Sequence, residues 1–150
     1  MNIKEIEQML SINLISGLSL LKGFSNKNVN SSKGSFIFIS SIMGVTGQPG
    51  LVGYSASKGA VNSAVKSSAL ELARHGIRVN SICPGFIPTK MMEQWSKTVT
   101  VEKQREIESH YPLGFGNPSD VAYAVVYLLS EASRWVTGTS MIVDGGYSCQ

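Results

Sequence analysis

The sequence predicts an α/β protein, a parallel sheet with right-handed crossovers and helices on both faces. Two observations carry this. Segments with helical spacing alternate with short apolar runs in the order helix, strand, helix, strand, helices, strand. The 150 residues, 43% hydrophobic and 15% charged, have the balance of one ordinary domain with a real core, which excludes a disordered chain.

Residues 1–22 carry Ile3, Ile6, Leu10, Leu14, Leu18 and Leu21 at spacings of three and four, a helical stripe, and Ile12 and Ile15 start a second one. A helix apolar on two sides is expected to be packed on two sides. Residues 24–35, rich in Asn, Ser and Lys, are a solvated loop leading into SFIFIS (residues 35–40), aromatic, β-branched and of strand length. Gly, Pro and Gln fill residues 44–53. Residues 54–74 then read as a long helix with Ala56, Ala60, Val61, Ala64, Val65, Ala69 and Leu72 as its small and apolar positions, ended by Gly76 as a left-handed cap.

IRVNSIC (residues 77–83) is the second strand, stopped by Pro84 and Gly85. Residues 89–111 are less regular, with Met91, Met92 and Trp95 followed by a polar, helical piece. Asn117, Pro118 and Asp120 supply the cap, first-turn proline and acidic third position of a helix running to Ser130. TSMIVDGG (residues 139–146) closes the chain as a third strand and a glycine turn. Three strands are few for such a sheet. SFIFIS has neither proline nor inward charge to protect an open edge, so a neighbouring strand is expected beside it.

Composition narrows the function classes. The longest apolar stretches fall far short of the roughly 18 residues that cross a bilayer, and no secretory leader opens the chain, so a soluble, cytoplasmic protein without a membrane partner is expected. Cys83 and Cys149 are too few for a disulfide scaffold and have no zinc spacing, so no metal is expected; Cys83 reads as core and Cys149 as tail. A net charge of +3 without a basic cluster gives no footprint for nucleic acid.

The strongest chemical signal is Tyr54 with Lys58, four apart at the start of the long helix and therefore on one face. An ammonium near a phenol favours the phenolate. At ~6 Å and an effective dielectric of ~20 the attraction is roughly 3 kcal/mol, about 2 units off a phenol pKa of ~10, enough for proton exchange near neutral pH. Such a pair often decorates a solvated helix face, but here the context adds to it. Ser41 directly follows SFIFIS, at the carboxyl end of a strand, where parallel α/β sheets bind ligands. Its hydroxyl can hold a carbonyl oxygen while the tyrosine protonates it. In Pro84-Gly85-Phe86-Ile87-Pro88-Thr89 the prolines leave few free amides, while Ile87 keeps both backbone donor and acceptor for an amide-bearing ligand.

These residues resemble the short-chain dehydrogenase/reductase family. The likeness rests on Asn13, Ser41 in ISS, Tyr54 to Lys58 in YSASK, Asn80 in RVNSICPG, Pro84 and Gly85 with Thr89, and the tail VTGTSMIVDGG. It runs from about Ile6 to Tyr147 and is nearest to 3-oxoacyl-carrier-protein reductases. The resemblance implies a cofactor, NAD or NADP, and a small-molecule carbonyl/alcohol substrate. Tyr54 would be the general acid or base, Lys58 would tune it and bind the nicotinamide ribose, and Ser41 would polarise the carbonyl. Asn13 would hold a water linking Lys58 to solvent. Ile87 would bind the carboxamide, Pro84 and Gly85 would flank the ring, and Thr89 would reach the phosphate. Met91, Met92 and Trp95 would belong to an apolar substrate lid. A homodimer or homotetramer is implied, formed through residues 5–22 and 55–74, where Ala60, Ser63, Ala64 and Ser67 permit close approach.

The family's phosphate-binding glycine turn and Asn-Ala-Gly segment are absent. Gly44, Gly47, Gly50 and Gly53 recur every third residue, unlike G-x-G-x-x-G, and no strand-ending acid follows about 20 residues on, so they read as a loop flanking the substrate. The expected fold is therefore the C-terminal part of a Rossmann-like doubly wound sheet, a single partial domain over residues 1–150 without its N-terminal βαβ half. The expected function is an NAD(P)-dependent oxidoreductase whose isolated chain has little activity; the alternative is a non-catalytic fragment that persists by oligomerising. Ser55-Ala-Ser-Lys58 also spells the S-x-x-K of penicillin-recognising hydrolases, but its companion S-D-N and K-T-G elements do not occur.

Overall fold

A computed structural model gives the fold and describes residues 2–26, 29, 33–89 and 98–149. Its elements are α1 (Ile3–Leu10), a π-helical turn (Ser11–Ile15), α2 (Ser16–Phe24), β1 (Gly34–Ile39), a 3-10 turn (Ile42–Gly44), α3 (Val52–Ala73), β2 (Ile77–Pro84), α4 (Val101–Glu108), α5 (Pro118–Leu129) and β3 (Ser140–Val143). The three described strands are parallel in the order β1-β2-β3, with Gly34 opposite Ile77 and Ser81 opposite Ser140. The α/β class and the predicted order of elements hold.

The central strand β2 is buried on both faces, as its nearly unbroken apolar run requires. Alternation then sorts the sheet. Phe36 and Phe38 of β1 and Ile77 and Val79 of β2 face α2 and α3, where Leu21, Val61, Val65 and Ala69 close the main core. Phe36 stacks obliquely between Phe24 and Phe38, at centroid distances of 5.5 and 5.0 Å. Gly17 permits this approach: a Cβ there would lie 2.7 Å from the Phe38 ring. On the other face, Ser35 Oγ and Arg78 Nη2 both donate to the Leu128 carbonyl of α5, at 2.7 and 2.8 Å.

Local signals act as read. Asp120 accepts from the Asn117 amide at 2.7 Å and so closes the start of α5, and Gly76 ends the α3 connection at φ 69°. Cys83 is buried and Cys149 exposed. The first helix differs from expectation twice. It is broken by the π turn, and its second stripe is not packed within the described chain, Ile12 and Ile15 being 61% and 56% exposed. The long helix starts at Val52, two residues early, because Gly53 packs beneath Ile6 of α1. β1 is an edge strand, and Met91, Met92 and Trp95 lie outside the described residues.

Candidate active site

The carboxyl ends of β1 and β2 open toward the first turns of α3. Ser41 leaves β1 in extended conformation (φ −163°, ψ 155°) and caps the 3-10 turn, its Oγ accepting from the Met43 amide at 3.2 Å. That bond occupies a lone pair and leaves the hydroxyl proton to donate. Tyr54 packs against the cluster of Ile42, Met43 and Cys83, the first two of which follow Ser41 in the chain.

Lys58 is fastened at both ends. Its Nζ donates to the Ile39 carbonyl at 2.9 Å, and its own carbonyl accepts from Ser40 Oγ at 3.1 Å. Nζ lies 5.8 Å from the centre of the Tyr54 ring. Burial pushes the Lys58 pKa below the ordinary lysine value, partly opposed by the nearby Cys83. Burial also pushes the Cys83 thiol up, against hydrogen bonds with Ser40, Asn62 and Ser81 and with the Ser41 backbone.

Asn13 sits in the π turn, and its Nδ2 donates to Ser57 Oγ at 3.0 Å; Ser57 Oγ donates in turn to the Tyr54 carbonyl at 2.7 Å. A π turn pushes side chains out of helical phase and is common at functional sites. Here the turn carries Asn13, whose amide reaches the Ser57 hydroxyl between Tyr54 and Lys58.

At the end of β2, Gly85 donates to the Val143 carbonyl at 2.9 Å. A Cβ on Gly85 would meet Asp144 Cα at 2.8 Å and Tyr111 at 3.2 Å, so only glycine fits. Gly85, Phe86 and Ile87 line a cavity of about 320 Å³ with residues 113–117 and 143–145. Among the described residues no hydrogen bond engages the Ile87 amide or carbonyl. Pro84 ends β2, and Thr89 is exposed.

The glycine ladder divides by position. A Cβ at Gly44 would lie 2.8 Å from the Lys58 carbonyl carbon, Gly50 takes φ 86°, and Gly47 faces open space, so close packing and a turn account for Gly44, Gly50 and Gly53. Sequence reasoning missed Asn62, a buried residue one turn beyond Lys58. Its Nδ2 donates to the Gly44 carbonyl at 3.4 Å and its Oδ1 accepts from Ser81 at 3.1 Å, holding the loop after Ser41 against α3. The available signal was an amide amid small and apolar residues on a helix's buried side. Asp144 was missed as well; its carboxylate accepts from the Gly146 and Ser148 amides at 3.0 and 2.8 Å and ties down the floor of the cavity.

Known proteins are similar to this chain in sequence and fold. The family described as enoyl-(acyl carrier protein) reductase matches residues 1–148. The 3-oxoacyl-[acyl-carrier-protein] reductase FabG of Rickettsia prowazekii is 39% identical over 145 residues, covering 95% of this chain and 58% of its own length. A human (3R)-3-hydroxyacyl-CoA dehydrogenase is 47% identical over 118 residues, covering 78% of this chain and 44% of its own. A solved 4-hydroxyisoleucine dehydrogenase complexed with NADH superposes with a TM-score of 0.92 at 29% identity, over 99% of this chain and 61% of that one. The chain thus spans about half the length of the curated relatives it matches, and it belongs to the short-chain dehydrogenase/reductase family, corresponding to the C-terminal part of its members.

Proposed function

We propose that the protein is an NAD(P)-dependent oxidoreductase that moves hydride between a nicotinamide and a carbonyl/alcohol pair, and that this chain is its catalytic and substrate-binding part, one partial domain. The observation that carries the reading is Lys58 Nζ, 5.8 Å from the Tyr54 ring and bonded to the Ile39 carbonyl at the end of β1, two residues before Ser41. Relatives named as 3-oxoacyl and 3-hydroxyacyl enzymes favour a 3-oxoacyl-type substrate.

The residues at the end of β2 suit the nicotinamide end of the cofactor: a glycine whose Cβ would not fit, a cavity beside it, and an unused amide and carbonyl at Ile87. When bound, the nicotinamide gives or takes the hydride. Ser41 donates its hydroxyl proton to the substrate carbonyl oxygen, and Tyr54 delivers the proton that turns this oxygen into an alcohol. Lys58 keeps positive charge beside the phenol and contributes to the ribose site. Asn13, through Ser57, fixes the backbone turn carrying both, and its place in the π turn suits a water on the path from Lys58 to solvent. Pro84 and Thr89 complete the cofactor contacts.

The adenosine and pyrophosphate cradle lies outside this chain, so the 150 residues alone bind NADH or NADPH weakly and turn over little substrate. Fluorescence titration with each nucleotide tests this, and micromolar binding contradicts it. In a chain extended to the relatives' length, Tyr54→Phe removes nearly all turnover and spares nucleotide binding; retained turnover sinks the assignment. The alternative, a non-catalytic fragment held together as a homodimer or homotetramer, draws support from Ile12, Ile15, Leu20 and Leu70, all more than half exposed on the two long helices. Light scattering across concentrations tests it, and a monomer rules it out. Among the described residues no helix is long and apolar enough to cross a membrane, and the cytoplasm is the proposed compartment.

A further inference from the structure

At the opposite ends of the strands lies a second cavity, of about 580 Å³, that the proposed reaction does not use. It opens between the first residues of β1 and β2, Gly34 and Ile77, and is walled by Lys33, Arg78, Leu129, Arg134, Trp135 and Thr137, among others. Two features are unusual there. Trp135 is 90% exposed at its edge, an indole left in water. Three cations, Lys33, Arg78 and Arg134, meet a single carboxylate, Glu131, and among the described residues none of the four is in an ion pair.

The cations are placed rather than scattered. The Arg78 guanidinium is fixed by donation to the carbonyls of Leu128, Val136 and Ser130, at 2.8, 3.1 and 3.4 Å, partners without formal charge. The Lys33 stem lies over Gly76, where a Cβ would come within 3.0 Å of Lys33 Cγ. Ala73, Ile77 and Leu129 give the cavity an apolar wall. A flat indole, an apolar wall and an excess of guanidinium and ammonium charge together favour a planar apolar ring carrying an anionic group, since stacking and charge then act on one molecule.

We propose that this cavity binds a small aromatic anion, its ring against Trp135 and its acid group toward Arg134, Arg78 and Lys33. The test is NMR titration of the 150-residue chain with naphthalene-2-carboxylate, following the Trp135 indole N–H, with Trp95→Phe removing the second indole. A saturable shift at sub-millimolar ligand is expected, weakened about tenfold by Trp135→Leu and by Arg134→Gln, each an exposed position whose loss spares the core. The neutral naphthalen-2-ylmethanol should bind at least about tenfold more weakly. Adenosine 5′-monophosphate as a parallel probe separates the sources: competition with the naphthoate assigns nucleotides, its failure assigns aryl carboxylates. Absence of saturation, equal binding of the alcohol, or unchanged binding by Trp135→Leu overturns the proposal, and none of these outcomes depends on turnover at Tyr54.

Discussion

The Lys58 ammonium donates to the main-chain carbonyl of Ile39 at 2.9 Å, so the cation beside Tyr54 is also the clasp between α3 and the last residue of an edge strand. Burial places the Lys58 pKa below 10.5, so between the two values the unfolded chain holds more protons than the folded one. Stability from this group therefore rises as pH climbs from the folded pKa toward the ordinary lysine range. A Lys58 side-chain resonance titrating at or above 10.5 contradicts the burial.

Asp144 is shifted in the same direction, downward, but by hydrogen bonds rather than by burial. Its burial raises the carboxyl pKa, but hydrogen bonds from the Ser148 side chain and the Ser148 and Gly146 amides outweigh this and hold it below the usual 3.8. Its contribution is full above that value and is lost as pH falls through the lower native pKa. Asp144→Ala should cost about 1–3 kcal/mol at neutral pH by orphaning two amides, and the gap from wild type should narrow in acid. Urea unfolding at several pH values measures both.

Two glycines should respond oppositely to alanine. Gly23, in α2 with open space where a Cβ would go, should gain ~0.5–1 kcal/mol. Gly44→Ala presses on the Lys58 backbone and should cost about 1–3 kcal/mol. Chemical unfolding midpoints report the two signs.

Ser55 and Ser57 make a second contrast. Among the described residues Ser55 Oγ is buried without a hydrogen-bond partner, whereas Ser57 Oγ links Asn13 to the Tyr54 carbonyl. Ser55→Ala should be neutral or stabilising, and Ser57→Ala should cost about 1–3 kcal/mol by leaving the Asn13 amide unmatched. A nucleophilic Ser55 would instead be labelled by a β-lactam probe, and no labelling is expected.

Phe38 tests the core. It is 5% exposed and packed by Phe36 and Gly17, and Phe38→Ala should cost about 3–5 kcal/mol in equilibrium unfolding.

The elements that could be read were those whose cause is local. Periodicity marked the stripe Leu14, Leu18 and Leu21, the Asn117 to Asp120 spacing marked a helix start, and Gly76 marked an end. The Tyr54 and Lys58 pair was legible because four residues of helix dictate a shared face. Asn62 escaped because its partners, Gly44 and Ser81, are 18 and 19 residues away, and only the folded loop brings them to it. The exposure of Ile12 and Ile15 escaped for another reason. A helical stripe states that apolar surface seeks cover, but not whether the cover lies within the chain or beyond it.

The π turn at Ser11–Ile15 makes chain length at that point a fixed quantity. It holds one residue more than a plain helix would, so α1 and α2 are offset by about 100° from an unbroken register. With it, Ile6 meets Gly53 at the start of α3 while Leu14 and Leu18 reach the main core. Substitutions here are graded in their effect, but a deletion of one residue rewinds the helix and can satisfy only one of those contacts. The segment should therefore tolerate changes of identity far better than changes of number, a difference that a single-residue deletion at Ser11 and the substitution Ser11→Ala would expose in one thermal melt.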